Sequence, residues 1–368
     1  MAELLKNVYN EQFFERFTAA LQQLLPQFNK SNFLAQIYDA KWEDLELKQR
    51  MRHISTTLHT HLTGNYEKKL DSLLQLIPLL KENGFKSESF EFMLLPDFVQ
   101  VYGLDDYKIS VQAMEEITQF TSCEFAVRPF LLQYEEAMLQ QMLKWSKHKH
   151  PMVRRLATEG CRPRLPWAMG VPSLKENPLP ILPILEKLKT DGSESVRRSV
   201  ANNLNDISKD HPATVIELVR AWKGQSKEID ALVKHASRTL LKQGNSVVME
   251  LFGFGSIEHI EIKDFQVLTP TIQIGDSVAF SFKLSNTSEK SAKLRLEYGI
   301  YYQKANGTLS RKVFKISEKV YAENSTTTIH RKQHFKVITT RKLHLGLHRV
   351  ALIVNGQELE VLDFELVS

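Results

Sequence analysis

The hydrophobic pattern of this chain changes period once, and that change bounds the folds open to it. Up to about Gln243, apolar residues recur at intervals of three and four, as in Phe13, Phe14, Phe17, Ala20, Leu21 and Leu24, or in Leu45, Met51, Ile54 and Leu58. Such spacing lays a continuous stripe along one side of an α-helix. After ELFGFGS (Glu250–Ser256) the pattern becomes alternation, in IEHIEIKDFQVL, SVAFSFKLSN, AKLRLEYGIYYQ, RKVFKISEKVY, TTTIHRKQHFKVIT, HRVALIV and ELEVLDFEL. A period of two belongs to strands with one buried face. The expectation is a mainly α chain with a helical domain over 1–253 and a small all-β domain over 254–368.

Seven short strands separated by Gly, Asn and Ser turns predict an immunoglobulin-like sandwich without a disulfide. In the helical part, breakers such as Pro26, Gly64, Pro78, Gly84, Pro96, Gly103, Pro129 and Pro151 fall at helix-hairpin intervals. Three later segments share one pattern: HPMVRRLATEG, SESVRRSVANNLNDISKDHP and DALVKHASRTLLKQG. Aligned on Val153, Val196 and Val233, they repeat with periods of 43 and 37 residues. That is the span of HEAT-type helical pairs, which stack into a solenoid with a concave surface.

Charge is unevenly placed. Residues 1–143 carry 13 Lys+Arg against 20 Asp+Glu, whereas 144–242 carry 19 against 10, within a net charge of +5. A basic block of this kind suits a polyanion-binding face, although solvated surface gives the same count. Arg154, Arg155, Arg197, Arg198, Lys234, His235 and Arg238 follow the aligned valines and are expected to line one surface. Basic pairs Arg311-Lys312, Arg331-Lys332 and Arg341-Lys342 on the strands are read either as solvated surface or as further contacts to nucleic acid. Two cysteines, Cys123 and Cys161, are too few for a disulfide framework, the amphipathic, charged N-terminus is unlike a signal segment, and no apolar run approaches a membrane span. A soluble protein of a reducing bacterial cytoplasm or nucleoid is expected.

The densest chemistry lies in VRRLATEGCRPRLPW, Val153–Trp167. A helix ending at Gly160 puts Glu159 in its last turn, where the macrodipole disfavours a carboxylate, and Arg154, Arg155, Arg162 and Arg164 offset that penalty. Glu159 is either a working anion in a positive groove or simply an arginine's partner. Trp167, fixed by Pro166, can stack on a base or anchor the loop. Arg198, Asn202 and Asp206 recur every four residues, so Asp206 is expected off the core, facing the groove, unless the three form an ordinary polar ladder. Glu124, three residues after Thr121, competes between a catalytic role and a capping box. His148-x-His150 and His59-x-His61 lack further ligands for a metal, Cys161 has no evident partner base, and GFG at 253–255 makes no phosphate loop.

At these residues the sequence resembles the AlkC branch of the AlkC/AlkD superfamily of DNA alkylation-repair glycosylases. KWSKHKHPMVRRLATEGCRPRLPW, SVRRSVANNLNDISKDHP, VKHASRTLLKQG and WEDLELKQRMRHISTTLH carry the match, over roughly residues 1–245. The resemblance implies a HEAT-like solenoid that cradles duplex DNA and excises cationic alkylated bases, chiefly 3-methyladenine and 3-methylcytosine, without conventional base flipping. It further implies that Glu159, Asp206 and Glu124 are the carboxylates facing the lesion and Trp167 the aromatic contact. DNA contacts fall to Arg154, Arg155, Arg162, Arg164, Arg197, Arg198, His235 and Arg238. No cofactor or metal, no membrane and no obligate protein partner are expected; the partner is duplex DNA containing alkylated bases, bound by a monomer. Two rivals differ in kind. A non-catalytic HEAT scaffold would bind nucleic acid or an acidic protein without releasing base, and a nuclease would need a metal cluster or nucleophile-base pair that the sequence does not offer.

Overall fold

The computed structural model describes residues 4–337 and 342–368. Sixteen α-helices precede the strands among these residues: α1 (Glu11–Leu24), α2 (Lys30–Ile37), α3 (Leu47–His61), α4 (Tyr66–Glu82), α5 (Leu94–Tyr102), α6 (Tyr107–Ile117), α7 (Val127–Gln133), α8 (Glu135–Trp145), α9 (Pro151–Gly160), α10 (Pro172–Glu176), α11 (Leu182–Leu188), α12 (Glu194–Ile207), α13 (Pro212–Trp222), α14 (Lys227–Ala236), α15 (Arg238–Lys242) and α16 (Ser246–Leu251). None is long and apolar enough to cross a membrane. The chain divides into two compact units, one of residues 1–211 and 223–236, the other of 212–222 and 237–368.

In the first unit the periodic stripes are the core. Phe13, Phe14, Phe17, Ala20 and Leu21 of α1 are buried, as are Met51, Ile54 and Leu58 of α3. Asn10 caps α1 by accepting from the Phe13 amide at 2.9 Å, and Pro151 starts α9, where its missing N–H costs nothing. The three aligned valines, Val153, Val196 and Val233, are fully buried. They sit on α9, α12 and α14, with α12 packed against both of the others. Gly160 closes α9 against α7 and α8: a Cβ there would lie 2.8 Å from Val127 Cγ1 and 3.1 Å from Met142 Cε.

In the second unit, β1 (Ile260–Val267), β3 (Ser277–Asn286) and β6 (Ser325–His334) form one sheet in the order β1-β3-β6, with β2 (Thr271–Gln273), β4 (Ala292–Gln303), β5 (Leu309–Tyr321), β7 (Gly346–Val354) and β8 (Gln357–Val367) forming the other in the order β2-β8-β7-β4-β5. Alternate residues face one shared core: Val278, Phe280, Phe282 and Leu284 from β3; Leu294, Leu296, Tyr298, Ile300 and Tyr302 from β4; Val350, Leu352 and Val354 from β7. The two sheets are therefore a sandwich. There are eight strands rather than the expected seven. The added strand, β2, pairs parallel to β8 over three residues, too short a run for alternation to register. Arg311-Lys312 lies on β5 and Arg331-Lys332 on β6, while Arg341 lies outside the described residues.

His348 of β7 is buried among Tyr302, Phe335 and Phe364 rings, with centroids 6.0, 5.4 and 5.6 Å away. Its Nδ1 hydrogen donates to the Gly346 carbonyl at 3.0 Å, and Nε2 has no hydrogen-bond partner among the described residues. Burial lowers its pKa below the ordinary histidine value. The unfolded chain therefore binds this proton more readily, and the sandwich loses stability as pH falls below about 6.5, the unfolded value. Thermal melts of the full chain from pH 7.5 to 5.5 should show His348→Phe gaining on the wild type as pH falls. A constant difference would contradict a neutral buried imidazole.

Candidate active site

Glu159 and Asp206 each lie in the last turn of a helix, α9 and α12, where unsatisfied carbonyls already concentrate negative charge. One guanidinium joins them. Arg162, three residues beyond Glu159, donates from Nη1 to Glu159 Oε1 at 2.5 Å and from Nε to Asp206 Oδ2 at 2.8 Å. All three residues are buried, at 4, 5 and 2 % exposure for Glu159, Arg162 and Asp206. Burial works against the Arg162 charge, but Glu159 and Asp206 outweigh it and raise its pKa.

The remaining carboxylate oxygens are also held. Ser199 of α12 donates to Glu159 Oε2 at 2.5 Å, and Lys209 reaches Asp206 Oδ1 at 3.0 Å. A hydroxyl relay backs Glu159, since Thr158 and Ser199 hydroxyls are 2.6 Å apart and Asn203 donates to the Thr158 carbonyl at 2.9 Å. Arg155 lies 4.0 Å from Glu159 Oε1 and donates to Glu124 Oε2 at 2.9 Å, so the third carboxylate joins the same network. Glu124 caps no helix: Ala126 is the residue preceding α7, and the Glu124 side chain accepts instead from Ser122 and Arg155.

Beyond Arg162 the chain forms a loop ending at Gly170, and a second buried arginine fixes both ends of it. Arg128 of α7, with no exposed surface, donates to the Gly160 and Arg162 carbonyls at 2.7 and 2.6 Å and twice to the Met169 carbonyl at 2.9 and 2.7 Å. Its partners are carbonyls alone, and burial lowers its pKa to about 10, which leaves it charged at neutral pH. Between those anchors Trp167 adopts φ 64°, a left-handed conformation uncommon for a bulky residue, and its ring is 64 % exposed. Lys48 donates to its carbonyl at 2.7 Å. An exposed indole on a loop pinned through its backbone is not a core anchor.

Residues 104–242 match the family described as "DNA alkylation repair enzyme", and residues 261–368 match "Uncharacterised protein YhaZ, C-terminal Ig-like domain". Bacillus subtilis (strain 168) "Uncharacterized protein YhaZ" is 42 % identical over 366 residues, covering 100 % of both chains. The solved structure of Pseudomonas fluorescens alkylpurine DNA glycosylase AlkC, bound to DNA containing an abasic site analog, superposes with a TM-score of 0.92 at 36 % identity, again over 100 % of both chains. The chain belongs to the AlkC family of DNA alkylation repair enzymes.

Several residues expected on the groove of this AlkC-family chain are engaged elsewhere. Asp206 does not stand off the core beside Arg198 and Asn202; it is turned inward onto Arg162, because two buried charges of opposite sign are far less costly together than apart. Arg162, expected among the DNA contacts, is held between the two carboxylates. Arg154 and Arg164 hold Asp191 and Asp210 through forked pairs, Arg197 donates to the Asp191 carbonyl, and Arg198 pairs with Glu194. His235 lies 2.9 Å from Asn202 Oδ1, between α12 and α14, and Arg238 begins α15 in the second unit.

The weaker metal and nucleophile candidates fall elsewhere. His59 stacks on Tyr102, His61 packs on Phe28 and Phe33, and His148 Nε2 lies 3.7 Å from Glu115. The His150 ring nitrogen accepts from the Met152 amide at the start of α9. Cys161 is buried, and burial pushes its thiol up to about 12, which removes it as a nucleophile at neutral pH. Ser199, Lys209 and Arg128 were not singled out from the sequence. An arginine inside the apolar run AVRPFLL was a signal for the last of these.

Replacing Arg162 with Met removes the counter-ion shared by two buried carboxylates, so it should cost about 3 to 5 kcal/mol of stability. Arg164→Ala breaks a far more exposed pair and should cost less than about 1 kcal/mol. Chemical denaturation of both variants checks this, and equal costs would contradict a buried, charge-coupled centre.

Proposed function

We propose that this chain is a DNA glycosylase that hydrolyses the N-glycosidic bond of cationic alkylated bases, 3-methyladenine and 3-methylcytosine, in duplex DNA. The observation that carries the reading is the convergence of Glu159 and Asp206, from two consecutive aligned helices, on one buried guanidinium at the foot of the Trp167 loop. Carboxylates are costly in such a place and suit a reaction that develops positive charge. Likeness to an alkylpurine DNA glycosylase over the whole chain supports the same chemistry.

In this reading the C1′–N bond breaks with its electron pair moving onto the base, which leaves neutral because alkylation had made it a cation. No acid is needed for departure. The sugar gains oxocarbenium character, stabilised by the negative charge of Asp206 and Glu159; water adds at C1′ and a carboxylate takes its proton, giving an abasic site and free base. Glu124 adds a third negative charge and Trp167 stacks on the lesion or its neighbour. Conventional base flipping is not required where the helices present the site on an open face, as the HEAT-like stacking read for α9, α12 and α14 would. Residues 1–253 are assigned DNA binding and catalysis; the immunoglobulin-like sandwich is assigned an accessory contact through Arg311, Lys312, Arg331 and Lys332. Arg155, Arg197, Arg198, His235 and Arg238 remain the proposed phosphate contacts, with Arg154 and Arg164 contributing only by exchanging aspartate for phosphate. The protein is taken to act as a monomer in the cytoplasm, without metal or cofactor.

Incubation with duplex DNA methylated by dimethyl sulfate, with EDTA present, should release free 3-methyladenine at the rate seen without chelator. Salt-dependent binding with no released base would instead favour a non-catalytic scaffold. Activity lost on chelation and restored by a divalent ion would overturn the metal-free chemistry.

A further inference from the structure

We propose that Lys209 is a displaceable counter-ion: its ammonium group covers the one oxygen of Asp206 that Arg162 leaves over, competes there with a positively charged base or sugar, and so limits how strongly the site prefers cationic ligands. The inference rests on the glycosylase reading above and adds to it a residue that moderates the pull of Asp206 on cationic ligands.

Each carboxylate oxygen of the central pair has one close partner. Arg162 takes Glu159 Oε1 and Asp206 Oδ2, Ser199 takes Glu159 Oε2, and Lys209 takes Asp206 Oδ1. These partners differ in their freedom to leave. Ser199 is buried on α12, and the Arg162 side chain is only 6 % exposed between two carboxylates. The Lys209 side chain is 40 % exposed, and it springs from the turn just after α12 on a flexible four-carbon stem. Releasing it transfers an ammonium group that already meets solvent to bulk water or to a nearby phosphate, and leaves Asp206 with one counter-ion fewer.

With Lys209 in place Asp206 keeps 2 % of its side-chain surface, so Oδ1 opens to a ligand only as the ammonium group moves away. A cation arriving at Oδ1 restores the balance. A neutral ligand of the same shape leaves a buried carboxylate short of one counter-ion, and is rejected by that deficit rather than by shape. The three carboxylates Glu124, Glu159 and Asp206 already face the paired cations Arg155, Arg162 and Lys209, with charged Arg128 close by, so a further positive charge is accommodated only when one of these cations moves. Lys209 is the most exposed of the three.

Two otherwise identical duplexes provide the test, one carrying a pyrrolidine abasic analogue, protonated at neutral pH, the other its neutral tetrahydrofuran counterpart. Dissociation constants are measured for wild type, Lys209→Gln and Lys209→Arg, together with base release from methylated DNA. With no lysine to displace, Lys209→Gln should raise the preference for the cationic duplex by about threefold to tenfold. Its affinity for undamaged duplex should stay level or fall, and because Asp206 loses one counter-ion its melting temperature should fall, so all affinities are compared well below the variant's melting temperature. Lys209→Arg should keep the wild-type preference. A preference that is equal in wild type and Lys209→Gln, or lower in the variant, overturns the counter-ion role even where wild type releases base. A wild type that releases no base overturns the glycosylase reading, and this inference with it.

Discussion

Everything proposed for this chain depends on the bridging of Glu159 and Asp206 by Arg162. Two carboxylates at the C-terminal ends of neighbouring helices would repel one another and the helix carbonyls, and their burial adds the cost of removing charge from water. The guanidinium solves both problems with one planar group, whose nitrogens reach two helices at once. It also ties the Trp167 loop to α9 and α12, because Arg162 is the first residue of that loop to carry a charge. Arg128 completes the arrangement from behind by fixing the loop's carbonyls. The loop conformation and the joining of the two carboxylates thus depend on two buried arginines.

The helical stripes and strand alternation were legible because burial has a period. Phe13, Phe17 and Leu21, or Phe280, Phe282 and Leu284, needed nothing beyond their spacing to be placed in a core. Glu159 at the end of its helix was legible for the same reason, since Gly160 marks the stop. Side-chain pairing was not legible. Arg162 and Asp206 lie forty-four residues apart in sequence, and which of the many arginines meets which acid depends on how α9 packs on α12. The polar ladder Arg198, Asn202 and Asp206 failed as a guide because that spacing fixes a helix face only when all three side chains see the same neighbours. Asp206, in the last turn, sees the α9 loop, whereas Arg198 faces solvent.

The same consideration tempers the meaning of a basic block. Nineteen basic residues against ten acidic ones over 144–242 suggested a broad cationic surface. Most of the arginines singled out there hold aspartates, glutamates or backbone carbonyls of their own unit. Net charge survives that pairing, and so does long-range attraction for a polyanion, but direct phosphate contact requires exchange of partners. The resemblance in the sequence, by contrast, gave the family correctly, because it rested on the order and combination of several motifs rather than on any single charge.

Stability alone cannot separate a working carboxylate from a structural one here, since Glu159 and Asp206 are both buried ion-pair partners and their loss will soften the fold in either role. The decisive quantity is the chemical step in folded protein. Single-turnover release of methylated base by Asp206→Asn, measured well below its melting temperature, should fall by about a hundredfold, corresponding to roughly 3 kcal/mol of lost transition-state stabilisation. Affinity for undamaged duplex should meanwhile stay level or improve, because a negative charge has left the region proposed to face DNA. A wild-type rate of release from folded Asp206→Asn would contradict the account at its centre.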